Sequence, residues 1–200
     1  MVSQQLLFAF VVFAVVGLYT PGPNNVMLLA SGLNFGLRRT LPHISGVALG
    51  FAFLVAVVGF GLGAVFDAYP LLQSVLKYGG AAYLVYLAVV IARAGPVEAG
   101  DAARRPLTFW EAALFQWVNI KGWIIAIGTV TAYAALANYP WNIVTMSLLL
   151  LVLGLSSAVA WTLFGSSLQK LVRSQRAIRI FNWIMAALLI ASLYPVLVEG

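Results

Sequence analysis

Long apolar runs separated by short polar punctuation organise the chain. A membrane-crossing helix needs about 20 apolar residues at 1.5 Å rise per residue. Six runs meet that need, at residues 6–34, 41–66, 71–92, 109–137, 141–164 and 178–198. None alternates with period two, so helices are predicted rather than barrel strands. The first run carries an interruption, "YTPGPNNVMLL" at residues 19–29, where two prolines, a glycine and two asparagines fall within six positions. A second disturbance, "FQWVNIKGWII" at residues 115–125, places Asn119, Lys121 and Gly122 in mid-run, with Gln116 one turn earlier.

Composition fixes the class. Hydrophobic residues make up 63% and charged residues 8%, and mean hydropathy is +1.01. A soluble domain carries about a quarter charged residues, so too few are present here to clothe a water-facing surface. The expectation is an all-α integral membrane protein, a single transmembrane domain over residues 1–200. Met1 to Gln5 lack the basic residues of a signal-peptide leader, so the first run reads as a retained span. With no cysteine, disulfides, thiolate metal sites and thiol relays are excluded. The net charge of +6 does not point to nucleic acid, because the basic residues flank apolar runs instead of forming a soluble patch.

Those flanking charges set orientation. Arg38 and Arg39 lie in the first connection, Arg93, Arg104 and Arg105 in the third, and Lys170, Arg173, Arg176 and Arg179 in the fifth. The second and fourth connections, around Asp67–Pro70 and Asn138–Pro140, carry none, and Lys77 lies inside the third run. Odd-numbered connections are therefore expected in the cytoplasm, with both termini outside. Runs one to three would enter from outside and four to six from inside. That is the arrangement of two inverted three-helix repeats, in which sites form at the midplane where corresponding helices are broken. The two disturbances occupy corresponding places, although no residue-level similarity links the halves.

Each disturbance has a chemical reading. Pro21 and Pro23 have no amide hydrogen, which frees the carbonyls of Gly17 and Tyr19, and the first helix is expected to break at Pro21-Gly22-Pro23. Gly22 allows the turn. Asn24 suits the N-cap of a restarted half-helix over residues 25–34. Open amides there favour a carboxylate and freed carbonyls an ammonium group, so a zwitterion matches both ends. A proline kink serving only packing is the alternative. Lys121 costs roughly 2.5–3.5 kcal/mol at mid-span and so normally faces protein or water; snorkelling is its bland reading. On a regular helix Asn119 and Lys121 point about 200° apart, so facing one cavity requires unwinding between them. The candidate substrate-binding residues are Pro21, Gly22, Pro23, Asn24, Asn25, Gln116, Asn119 and Lys121.

Other residues suggest plainer roles. His43, at the cytoplasmic mouth of the second run, reads as an interfacial cap ahead of a proton relay. Gly46 and Gly50 read as helix packing, and Gly59, Gly61 and Gly63 as places where helices approach or bend. Tyr69, Tyr139 and Trp141 fit an outer aromatic belt, and the Lys170–Arg179 cluster a cytoplasmic anchor.

"TPGPNN" in the first run and Asn-x-Lys in the fourth resemble the LysE/RhtB family of bacterial amino-acid exporters. "GLRRTLPHISGVALGF" (36–51), "KYGGAAYLVYLA" (77–88) and "FWEAALFQWVNIKGW" (109–123) extend the resemblance over nearly the whole chain. Most members read Asn-Pro-Lys-Ala in the fourth span. Asn119-Ile120-Lys121-Gly122 looks instead like the subgroup exporting cysteine and O-acetylserine, and it leaves open whether that helix breaks or bends. The resemblance implies six spans in the bacterial cytoplasmic membrane and export of small amino acids or derivatives, coupled to protons by antiport. The partners implied are that substrate, protons and the lipid bilayer, with a homodimer admitted and no cofactor. The rivals are a metal-ion or other small-metabolite exporter and a non-transporting membrane partner protein. An enzyme is not expected, since Asp67 and Glu111 lie near run ends and only one histidine is present; nor does the chain supply clustered carboxylates or thiolates for an ion.

Overall fold

A computed structural model describes residues 4–62, 70–93, 105–171 and 174–192. Gly63, Asp67, Tyr69, Glu98, Asp101, Arg104, Arg173 and the side chains of Lys77 and Lys170 lie outside the described residues. No strand occurs among the described residues. The helices are α1 (Gln4–Tyr19), α2 (Pro23–Val57), α3 (Pro70–Arg93), α4 (Phe109–Phe115), α5 (Ile120–Ala132), α6 (Trp141–Leu171) and α7 (Gln175–Ala191). A π turn at Val58–Leu62 extends α2, and 3₁₀ turns at Gln116–Val118 and Ala134–Leu136 flank α5.

α2 is two arms. Gly36 has φ 74° and ψ 170°, a left-handed φ that glycine adopts without steric cost. Ser31 Oγ lies 3.1 Å from His43 Nδ1, twelve residues on; a straight helix would hold them roughly 18 Å apart. The chain therefore folds back at Gly36 into a helical hairpin with arms at 23–35 and 37–57. This buries His43, 1% exposed, and corrects its expected place as an interfacial cap. Pro42 sits within the second arm, so the helix resumes ahead of the start at residue 41 that the sequence suggested.

By length and apolar content, Pro23–Gly61 and Trp141–Leu168 are each long enough to cross a membrane, the first of them being the hairpin. Phe109–Val118 and Ile120–Ala132 together make a third candidate, bent by 70°. Large apolar side chains such as Phe8, Leu71, Trp110 and Trp183 point outward, which suits lipid rather than water. The all-helical membrane class stands.

The first arm of α2 and α6 cross with backbones in contact. A Cβ on Gly32 would strike the Thr162 carbonyl, and one on Gly165 the Leu29 carbonyl. Gly46 and Gly50 give the second arm the same closeness to Phe109 and Ala113 of α4, the packing role their spacing predicts. Asn34 and Asn182 exchange amide hydrogen bonds of 2.9 and 3.1 Å, both buried, which ties the first arm to α7. One apolar core gathers Phe10, Phe51, Leu54, Ile125, Met146 and Leu150. A second gathers Val26, Leu29, Leu84, Leu87, Phe115 and Leu189.

Candidate functional site

The helix break at Thr20–Gly22 is where the missing proline amides put it. α1 ends at Tyr19 and α2 starts at Pro23, with proline at the first helical position, where its fixed φ fits and no donor is missed. The N-cap is the extended Gly22, with no side-chain cap. This corrects the expected role of Asn24, which stands inside the first turn. Its side chain instead pairs with Gln116: Asn24 Nδ2 donates to Oε1 at 2.8 Å, and Gln116 Nε2 donates back to Oδ1 at 3.1 Å.

The carbonyls of Gly17, Leu18, Thr20 and Pro21 have donors. Asn25 Nδ2 reaches both Leu18 O and Thr20 O at 2.8 Å. Ser157 Oγ of α6 also donates to Leu18 O, at 2.9 Å. Thr20 Oγ1 donates to Gly17 O at 3.3 Å. Lys121 supplies the rest: its Nζ donates to Thr20 O at 2.8 Å, Thr20 Oγ1 at 2.9 Å and Pro21 O at 3.2 Å. Of the two carbonyls the prolines free, Gly17 O thus accepts from Thr20, while the protein's own ammonium sits on the neighbouring Thr20 and Pro21 carbonyls. Gly22 has to be glycine for this contact, since a Cβ would lie 2.7 Å from Lys121 Cδ and 3.0 Å from Nζ.

The second break forms without proline. Gln116 Nε2 donates to Ala112 O at 2.9 Å, while the backbone tightens to 3₁₀ through Val118. Asn119 then leaves the helix at φ −86°, ψ 97°, and α5 restarts at Ile120. The indole of Trp123 donates to Trp117 O at 2.9 Å, which satisfies a carbonyl the break exposes. The fourth helix is broken, with Ile120 where most of the resembling family has proline. Asn119 and Lys121 consequently line one cavity despite their spacing.

That cavity, about 40 Å³, lies between the two restarts. Gly22, Pro23, Asn24 and Asn25 line it from α2, and Asn119, Lys121 and Gly122 from α5. Gln116 is fully buried behind Asn24, and Pro21 is exposed outside the lining. The first intrahelical bonds are Val26 N to Gly22 O and Trp123 N to Asn119 O. Each restart thus turns first-turn amides, and the positive end of its dipole, toward the same space. Lys121 adds a full positive charge. The opposite chemistry comes from Asn119, 2% exposed, whose Oδ1 has no partner: a vacant acceptor beside a cation. Leu28, Val47, Phe51 and Ile125 supply an apolar wall, and Gly154 leaves open space where a Cβ would meet nothing within 4 Å. A buried water needs roughly 10–15 Å³, so the cavity has room for a few waters, and anything larger requires its walls to part. Among the described residues no group of three or more His, Cys, Asp or Glu stands together.

Two contacts escaped the sequence reading. Thr20, placed in the non-helical break by the sequence, is also the main acceptor for Lys121, and Ser157 caps the first break from α6. Two serines in mid-run at 156 and 157 were the available signal for the latter.

Known proteins place the chain. The family model described as LysE type translocator matches residues 15–192. The cysteine/O-acetylserine efflux protein of Klebsiella pneumoniae is 32% identical over 98% of this chain and 100% of its own length. The proteins of the same name from Escherichia coli O139:H28 and K12 are 34% and 33% identical over 94% of this chain and 95% of theirs. No solved structure matches. A family match from residue 15 to residue 192, together with full-length relatives above 30% identity, means that this chain belongs to the LysE type translocators.

Proposed function

We propose that this translocator is a secondary exporter of small amino acids or their derivatives, of the cysteine and O-acetylserine kind, in a bacterial cytoplasmic membrane. The observation that carries the reading is the shared cavity: two helix N-termini and the Lys121 ammonium face it, and Asn119 Oδ1 is its vacant acceptor. A substrate carboxylate would be held by Lys121 and the open amides, its ammonium by Asn119 Oδ1, and a short side chain by the space at Gly154. Lys121 would exchange part of its hold on Thr20 and Pro21 for the carboxylate, which links binding to the geometry of the first break. A metal ion finds no such match, since the lining offers no carboxylate, thiolate or imidazole.

The proposed frame is six spans in two inverted repeats with both termini outside, and export is driven by the proton gradient. The basic odd-numbered connections support that topology. Single cysteines at Ser174 and Asn138, both exposed, should be labelled from opposite faces of the membrane. Labelling of the Ser174 position by an impermeant reagent outside intact cells would overturn the orientation.

The site is tested by Lys121→Met at matched membrane abundance. Methionine keeps much of the volume and removes the charge. A hydrogen bond to a charged group is worth ~1.5–3 kcal/mol, so substrate affinity in export assays with labelled cysteine should fall on the order of 10- to 100-fold. Arginine should not rescue it fully, because its planar fork differs in shape. Equal rates and equal concentration dependence for Lys121→Met and wild type would remove Lys121 from the site.

A further inference from the structure

A second cavity, about 80 Å³, lies at the other end of the first arm, beside Ser31, Asn34, His43 and Arg105. Its remaining walls are largely apolar, among them Met27, Leu87, Val90 and Leu107. The polar groups on it are nearly all engaged. Asn34 Nδ2 donates to Ala30 O and to Asn182 Oδ1, and Asn34 Oδ1 accepts from Asn182 Nδ2. Ser31 Oγ is bonded to His43 Nδ1. Arg105 holds Glu111 with two parallel bonds of 2.7 and 2.8 Å. His43 Nε2 is buried and has no partner.

A zwitterion would need both a vacant donor set and a vacant acceptor set here, and the lining offers one vacant ring nitrogen. What fits that nitrogen is a proton delivered by water. Imidazole is the side chain that gains and loses a proton near neutral pH, and this chain has one histidine. The cavity reaches Arg105, whose side chain is 54% exposed, and the Glu111 partner is 37% exposed, so the pair gives water a way in.

Lys121 stands apart from this cavity. Its three donors meet Thr20 O, Thr20 Oγ1 and Pro21 O at the first break.

Resting on the export reading, we propose that His43 is the proton-carrying group of the transport cycle, loaded at Nε2 through the cavity beside Arg105. On loading, Nε2 gains one proton from cavity water, Nδ1–H donates to Ser31 Oγ, and the ring becomes a cation; unloading returns that proton from Nε2. The groups around it on each packed element are Ser31 on the first arm, Arg105 ahead of α4 on the cavity wall, and the Glu111 carboxylate on α4 that Arg105 holds. α3 contributes apolar Leu87, Val90 and Ile91. Ser31 and Asn25 lie on one arm, about 9 Å apart along its axis, so a change of charge at His43 acts on the element that carries the first break.

Two measurements on the full chain decide it, with any affinity tag free of histidine. In proteoliposomes with a pH-sensitive dye inside, wild type given a cysteine gradient should move protons against the cysteine. His43→Gln should keep cysteine counterflow within about twofold, with cysteine-dependent proton movement down at least tenfold. Proton movement within twofold of wild type in His43→Gln, or wild-type counterflow with no proton movement, would overturn the proposal. Absence of counterflow in wild type, for cysteine and O-acetylserine alike, would overturn the export reading and this proposal with it. The second measurement needs no variant: ¹⁵N-histidine gives one residue's signals, and these should change with pH, with a midpoint that cysteine shifts. Ring signals unchanged by pH and by cysteine would overturn it.

Discussion

The two helix breaks reach the same cavity by different means. At Pro21 and Pro23 the donors are covalently missing, and no rearrangement can close the helix across them. At Gln116–Asn119 every residue has its amide hydrogen, and the helix is opened by side chains: Gln116 on the Ala112 carbonyl and Trp123 on the Trp117 carbonyl. The first break is permanent, while the second is held by competition and can be shifted by changing the competitors. A transporter has to be rigid where it recognises and able to move where it releases. The contrast assigns the first property to the proline break and the second to the one without proline.

The sharpest way to break this contrast is at the join. Gln116→Leu would leave the half-buried Asn24 amide without its partner and free the Ala112 carbonyl for the backbone. At about 1–3 kcal/mol for an unsatisfied group, thermal unfolding in detergent should show a loss of roughly 1 kcal/mol or more. Replacing both amides, Asn24→Leu with Gln116→Leu, should recover over half of that, because two apolar partners need no hydrogen bonds. A single variant as stable as wild type would mean that the second break does not depend on Gln116.

An effect on export sharpens it. Gly22→Ala would press a methyl against the Lys121 stem, which can move, so the fold should survive while the ammonium leaves its carbonyls. Export should fall roughly tenfold, the worth of one charged hydrogen bond near 1.5 kcal/mol. Gly122→Ala, whose nearest neighbour would be Asn119 Nδ2 at an ordinary 3.5 Å, should stay within about twofold. Similar losses at both glycines would show that the breaks share one steric logic.

The sequence made the breaks legible to different degrees for the same reason. A missing proline donor is a local fact, visible in "TPGPNN". A break made by competing side chains shows only as polar residues in an apolar run, and Asn119, Lys121 and Gly122 marked the place without revealing whether the helix opened. Partners were harder still. Asn24 reads as an N-cap from its neighbours, yet its amide answers Gln116, 92 residues away, and Asn34 answers Asn182 over 148. His43 looked interfacial because it stands at the mouth of the second run, just after Arg38 and Arg39 in the first connection. The actual turn is the single residue Gly36, and only the folded hairpin places the imidazole against Ser31.

The backbone crossing at Gly32 and Gly165 limits how this molecule can move. Where side chains separate two helices, rotamer changes let one slide along the other. Here a step of one residue, about 1.5 Å, would bring Ser31 or Leu33 toward the place where the Thr162 carbonyl tolerates only hydrogen. The first arm of α2 and α6 therefore travel together as a keel, and α5, beyond the break that side chains hold open, is left to do the rocking.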